Sequence, residues 1–156
     1  MEQHESHLRR TFVVAEHSRS NGNHPFGALL VGPDDKVLIE AENDSRSGDR
    51  TAHAERVLLS RASLIYPSDF LARCTLYSSA EPCAMCAGAA YWVGIGRVVY
   101  ALSENDLRDL IGPNHSANLT MNLPCRQVLC AGQREIQVVG PLLKEESLAI
   151  HNNFWS

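Results

Sequence analysis

The chain has 156 residues, with 14 Lys plus Arg against 18 Asp plus Glu and a formal charge of −4. That length suits about one domain, and the acidic balance gives no general attraction to phosphate backbones, so a nucleic-acid partner would need a local basic patch. A composition of 44% apolar and 21% charged residues excludes a disordered or fibrous chain, and the opening MEQHESHLRR resembles neither a signal peptide nor a membrane span.

Residues His7 to Arg19 place Leu8, Phe12 and Ala15 at steps of four and three, which predicts an amphipathic helix stopped by Asn21 to Pro25. From Phe26 the runs FGALLV and VLIEAEN read as two strands joined by the turn GPDDK. A polar loop, Asp44 to Arg50, follows. Thr51 to Ser63 has helix-forming composition, with Val57, Leu58 and Leu59 as its buried stripe, Thr51 or Asp49 as its cap and a start near His53. CTLYSSA predicts a third strand, and Pro82 at a first helical position opens a helix through CAMCAGAAYWVG, whose small residues allow close packing on a sheet. RVVYAL and REIQVVG read as the fourth and fifth strands and LLKEESLAIHNNFW as a final helix, while Ser103 to Asn122 gives no clear element. This alternation predicts a single α/β domain over residues 1–156, with helices covering a central sheet.

Five cysteines is an odd number, and the chain reads as cytoplasmic with reduced thiols, so closely spaced cysteines point to metal or catalysis before disulfides. Three candidate metal ligands stand out: His53 in T-A-H-A-E, and Cys83 and Cys86 in E-P-C-A-M-C. With Pro82 opening a helix, Cys83 sits where the helix dipole and unpaired N–H groups stabilise a thiolate, and Cys86, three residues on, shares its face. One imidazole and two thiolates leave the fourth tetrahedral position of a zinc ion open, the mark of a catalytic site, whereas a structural zinc usually has four protein ligands. Glu55 is the fourth player. On a regular helix it would stand about 200° from His53, so both cannot ligate from one face. At the opening turn Glu55 can instead sit beside a zinc-bound water and shuttle its proton.

His53-Ala54-Glu55 followed by Pro82-Cys83-Ala84-Met85-Cys86 matches the H-x-E…P-C-x-x-C signature of zinc nucleobase deaminases. The chain resembles the cytidine deaminase-like superfamily over nearly its whole length: the strand from Pro25 to Val31, Asn43, the HAE helix, the segment SSAEPCAMCAGA and the strand from Arg97 to Tyr100. Within it the chain looks like the branch of bacterial guanine deaminases, related free-base deaminases and tRNA adenosine deaminases. The resemblance implies a three-layer α/β/α sandwich around a five-stranded mixed sheet. It also implies one zinc ion per subunit, with a bound water or hydroxide, on His53, Cys83 and Cys86, and Glu55 as proton shuttle. By the same resemblance, Phe26, Asn43, Ala54 and Trp92 would contact the substrate, and the protein would form a homodimer.

The substrate class implied is a small heterocyclic base of guanine, cytosine, isocytosine or aminotriazine type, with no membrane partner. The alternative within the chemistry is tRNA adenosine deamination, and outside it a non-catalytic zinc-stabilised interaction domain, for which Glu55 would have no task. Phosphate contacts come mostly from Lys and Arg. The final segment LLKEESLAIHNNFW has one lysine against two glutamates, and Tyr91-Trp92 suits a free-base deaminase, so nucleic acid is the less favoured substrate. Cys74, Cys125 and Cys130 read as buried or inert thiols and His24 and His115 as loop residues that can line a pocket; Glu104 and Asp106 follow the fourth strand, where by the same resemblance some guanine deaminases place a second acidic residue, and read as surface charge. Phe154 and Trp155 predict a docked C-terminus, in this chain's pocket or a neighbour's.

Overall fold

A computed structural model describes all of residues 1–156. Helix α1 (Glu2–Ser20) starts with Glu2 and Glu5 and ends with His17 and Arg19, a charge order that suits the helix dipole, and buries Leu8, Phe12 and Ala15. Strands β1 (Gly27–Val31) and β2 (Val37–Glu42) form the expected antiparallel hairpin, with β1 buried along its whole length and β2 half exposed at the sheet edge. Next come α2 (Ala54–Ile65), a single turn α3 (Ser68–Leu71), the fully buried β3 (Thr75–Ala80) and α4 (Ala84–Val93). The chain closes with β4 (Arg97–Leu102), α5 (Glu104–Ile111), α6 (Cys125–Leu129), β5 (Gln137–Val139) and α7 (Lys144–Ile150).

The five strands lie in the order β2-β1-β3-β4-β5. Strand β1 runs antiparallel to β2 and β3, while β3, β4 and β5 are mutually parallel. The sheet is therefore mixed, as expected. Alternate residues of the central strands face opposite layers. Leu30, Leu76 and Val98 join α2, α4 and α6 in one core, whereas Leu29, Tyr77 and Val99 join α1 and α7 in the other. Each fully buried leucine of these cores contributes about 2 kcal/mol. The two cores make the molecule a three-layer α/β/α sandwich.

Gly27 fixes how closely α1 lies on β1: a Cβ there would stand 2.5 Å from Thr11 O and 2.7 Å from Ala15 N, so any side chain would force the layers apart. No helix is long and apolar enough to cross a membrane. The sequence reading missed α3 and α6, which are one turn or little more, and α5, which does carry a local signal. Ser103 Oγ accepts the Asp106 N–H at 3.1 Å, the Ser-x-x-Asp form of a capping box.

Candidate metal centre and substrate cleft

Parallel strands β3 and β4 end together, with Ala80 opposite Leu102 and the Glu81 N–H donating to Leu102 O at 2.7 Å. The chain leaves β3 through Glu81 and Pro82, and Cys83 becomes the N-cap of α4 with extended backbone at ψ 174. Pro82 thus stands one residue ahead of the cap rather than inside the first turn, where it holds Glu81 extended. The cap of α2 is His53 itself, at φ −67 and ψ 149, not Thr51 or Asp49. Asp49 Oδ1 is already occupied, accepting from Thr51 N at 2.9 Å and Thr51 Oγ1 at 2.7 Å. Because His53 lies outside the helical repeat, the 200° separation from Glu55 does not apply, and both residues face one end of the sheet.

His53 Nδ1 lies 3.6 Å from Cys83 Sγ and 3.6 Å from Cys86 Sγ, and the three donor atoms all fall within 4.8 Å of one another. Zinc at about 2.3 Å from sulfur and ~2.0 Å from nitrogen, with a tetrahedral angle, requires an N···S separation of roughly 3.5 Å, so the donor set fits that ion. The Cys83 thiol is held down to about 4, chiefly by the hydrogen bond from Cys86 and, against its own burial, by His53. Cys86 is pushed up, first by that same bond. The two thiols compete for one negative charge, and a divalent cation would let both ionise.

Glu55, on the first turn of α2, is 5% exposed. Burial pushes its carboxyl up to about 7, against the pull of His53, and Ser78 Oγ donates to its Oε1 at 3.0 Å. A buried carboxyl that changes protonation near neutral pH, beside a three-donor site, is equipped to carry a proton between water and a bound molecule.

These groups open into a cleft of about 560 Å³, a volume typical of small-molecule sites. Phe26 and His24 line it from the segment before β1, and Asn43 from the end of β2. Asn43 Oδ1 accepts the Ser45 N–H at 2.7 Å, which leaves the amide NH₂ as the free end. Ala54, expected near the substrate, has its side chain fully buried in the core below α2 and is absent from the cleft wall. Trp92, also expected there, is 83% exposed on α4 and outside the cleft. It lies six positions beyond Cys86, which carries it about 9 Å up the helix axis.

Glu104 departs from its expected place in the opposite sense. It lines the cleft from the start of α5, with its backbone N–H donating to Glu81 Oε1 at 2.9 Å, while Glu81 Oε2 accepts the Cys125 N–H at 2.7 Å. Burial and then the negative charge of Cys83 push its carboxyl up to about 8; a cation on the thiolates would remove the second push. Asp106 is the surface residue of the two, paired with Lys144 at 3.4 Å.

Trp155 is buried in its own chain. Its indole N–H donates to His151 Nδ1 at 3.0 Å, its carbonyl accepts from His115 Nε2 at 2.7 Å, and its ring stands 5.1 Å from His24 and 6.1 Å from Phe26. The C-terminus therefore backs the cleft wall, and His115 braces the segment 116–121 that lines the other side. Of the three remaining cysteines, Cys74 and Cys125 are buried as expected, but Cys130 is exposed.

Residues 1–102 match the family model for the cytidine and deoxycytidylate deaminase zinc-binding region. The chain is 36% identical over 150 residues to a probable cytosine deaminase of Schizosaccharomyces pombe, an alignment covering 96% of this chain and 91% of that protein. It is 38% identical over 105 residues to the guanine deaminase of Bacillus subtilis, covering 66% and 67% of the two chains. The solved structure of a guanine deaminase from Nitrosomonas europaea superposes with a TM-score of 0.74 at 28% identity, covering 94% of this chain and 81% of that one.

Proposed function

This chain belongs to the cytidine and deoxycytidylate deaminase zinc-binding family, and from that premise we propose that it hydrolytically deaminates a free nucleobase or a related amino-heterocycle, releasing ammonia. The observation that carries this reading is Glu55, a buried carboxyl held by Ser78 beside the three-donor set His53, Cys83 and Cys86.

His53, Cys83 and Cys86 would hold one zinc ion per chain. Zinc in such a three-ligand site supplies Lewis acidity that makes water a competent nucleophile near pH ~7. Glu55 takes a proton from the attacking water and places it on the ring nitrogen beside the carbon that bears the amine. It then takes up the proton of the added hydroxyl and passes it to the departing nitrogen, so that the C–N bond breaks, water is consumed, ammonia leaves and the oxo base is formed. Ser78 steadies the Glu55 carboxyl through this cycle. The free amide N–H of Asn43 can donate to a ring carbonyl, and Phe26 offers an aromatic wall to a planar ring.

A small base is favoured over tRNA by charge. The cleft wall offers a phosphate backbone a single guanidinium, Arg50, beside the carboxyl groups of Asp49, Glu55, Glu81 and Glu104, and α7 sets Lys144 against Glu145 and Glu146. We take residues 1–156 as one deaminase domain, because α5 supplies a cleft wall, β5 completes the sheet and α7 closes the second core. We further take the protein to act as a homodimer. Trp92 on α4 and Leu64 and Ile65 at the C-terminal end of α2 are exposed apolar side chains of the kind that a second copy would cover. Free thiols at all five cysteines suit the cytoplasm.

An ammonia-release screen of the zinc-loaded protein against free bases, nucleosides and aminotriazines tests the reading. Turnover of at least one free base is expected, abolished in Glu55→Ala with zinc content retained. A salt-sensitive nanomolar complex with tRNA, with no free base turned over, would replace it by the editing alternative.

A further inference from the structure

His24 lies partly buried in the cleft wall, edge-on to Trp155 and Phe154, whose rings stand 5.1 Å and 5.8 Å from its own. All its hydrogen bonds run through the backbone. The N–H donates to Ser45 Oγ at 3.1 Å, and the carbonyl accepts from Ser18 Oγ at 2.7 Å and from the Phe26 N–H at 2.9 Å. The two ring nitrogens are left without a partner in the protein, and because no unpaired side-chain polar atom is sealed from solvent, they stay accessible in the wall of the cleft. Burial, and after it the charges of His53 and His115, push the imidazole pKa down, so near neutral pH the ring carries one N–H and one bare nitrogen.

The same two serines hold Asn43. Ser18 Oγ reaches the Asn43 carbonyl at 3.3 Å as well as that of His24, and the Ser45 N–H donates to Asn43 Oδ1 at 2.7 Å. The Asn43 N–H in turn donates to Phe26 O at 3.2 Å. His24, Phe26 and Asn43 are thereby stapled into one corner at the open end of the β1–β2 hairpin. A primary amide with both ends free reads an O=C–N–H edge by itself, donating to the carbonyl and accepting the N–H. Because Ser45 engages the Asn43 oxygen, this amide is left to donate, and the acceptor for such an edge has to come from a neighbour. The bare nitrogen of His24 is an acceptor in the same corner.

Heterocycles that carry both an oxo group and an amine present this edge: C2=O beside N1–H in cytosine, C6=O beside N1–H in guanine. We propose that His24 is a specificity-determining residue, its imidazole nitrogen accepting the ring N–H of the substrate while the Asn43 amide donates to the adjoining carbonyl. A methyl group on that ring nitrogen removes the donor, and the imidazole nitrogen is then covered by the ligand without a partner, which penalises binding. This role rests on the nucleobase reading above and adds to it the group that reads the substrate's ring N–H.

The test compares cytosine with 1-methylcytosine, and guanine with 1-methylguanine, in the zinc-loaded wild type and in His24→Ala, His24→Phe and His24→Gln. Both kcat and KM are measured, with melting temperature and zinc content followed for each variant. The wild type is expected to prefer the N–H base by about 100-fold or more in kcat/KM. His24→Ala is expected to raise KM for that base by roughly 10- to 100-fold with little change in kcat, and to bring the N–H to N-methyl ratio close to one. His24→Phe, which keeps the edge-on contacts with Trp155 and Phe154 but has no acceptor, should raise KM by a similar factor; His24→Gln, which restores a carbonyl acceptor, should fall between. A residue that served packing alone would be spared by His24→Phe. Wild-type KM in His24→Phe, a ratio unchanged in the folded variants, or a wild type that accepts N-methyl bases equally overturns the proposal while leaving the deaminase reading intact. Absence of ammonia from every base with zinc bound overturns both.

Discussion

Ser78 Oγ lies 3.0 Å from Glu55 Oε1 and 2.6 Å from the Ala80 carbonyl, so a single hydroxyl proton faces two acceptors. When Glu55 is ionised the hydroxyl can donate to it. When Glu55 is protonated, the hydroxyl turns to the carbonyl, which can only accept, and receives the Glu55 proton on its free lone pair. A group that must carry a proton is thereby partnered in both of its states.

Replacing Ser78 by Ala removes the donor to the ionised form and leaves a buried carboxylate bare. The Glu55 pKa should rise further, and because Glu55 must first act as a base, the ascending limb of kcat/KM against pH should move up by as much as ~1 unit, with about tenfold less activity at pH 6. A pH–rate profile that superposes on the wild type would remove Ser78 from the proton path.

Metal removal should be readable without turnover. A ligand present at ~100 times its dissociation constant stabilises the native state by about 2.7 kcal/mol, which for a chain of this size corresponds to roughly 5–10 °C in melting temperature. Chelation should lower the Tm by that amount, one equivalent of zinc should restore it, and Cys83→Ala should be insensitive to both. An unchanged Tm on chelation would argue against zinc at this donor set.

Trp155 and His151 predict a pH dependence of stability. The indole N–H can only donate, so His151 Nδ1 must be bare and the ring neutral; burial pushes its pKa down to about 4. Unfolded, the imidazole titrates near ~6.5. Stability from this group is therefore complete above ~6.5 and is lost as pH falls from there toward 4, at up to ~1.4 kcal/mol per pH unit, since only the unfolded chain binds the proton in that window. Urea midpoints at pH 7.5, 5.5 and 4.5 should fall more steeply in the wild type than in His151→Phe; parallel profiles would contradict the assignment.

The exposed Trp92 offers a check on assembly. Trp92→Glu should convert a wild-type dimer into a monomer in sedimentation velocity at micromolar concentration, with zinc content unchanged. A wild type that already sediments as a monomer would dismiss the dimer.

The sequence alone determined the strands, the long helices and the donor set, because each of these is written locally. Apolar runs of five or six residues bounded by turn chemistry, and a histidine or a proline-cysteine pair at the start of a helix, carry their signal within a few positions. What it could not determine was which distant segments meet. Glu104 reads as surface charge until β4 is laid parallel to β3, which brings its amide to Glu81 and its side chain into the cleft. Ser78 becomes the partner of Glu55 only because the fold brings the β3 hydroxyl within 3.0 Å of the first turn of α2. Trp92 looks like a pocket aromatic by its nearness to Cys86 in sequence, but the helical rise carries it out to solvent. Periodicity orients a side chain on its own element; the pairing order of the strands decides what it faces.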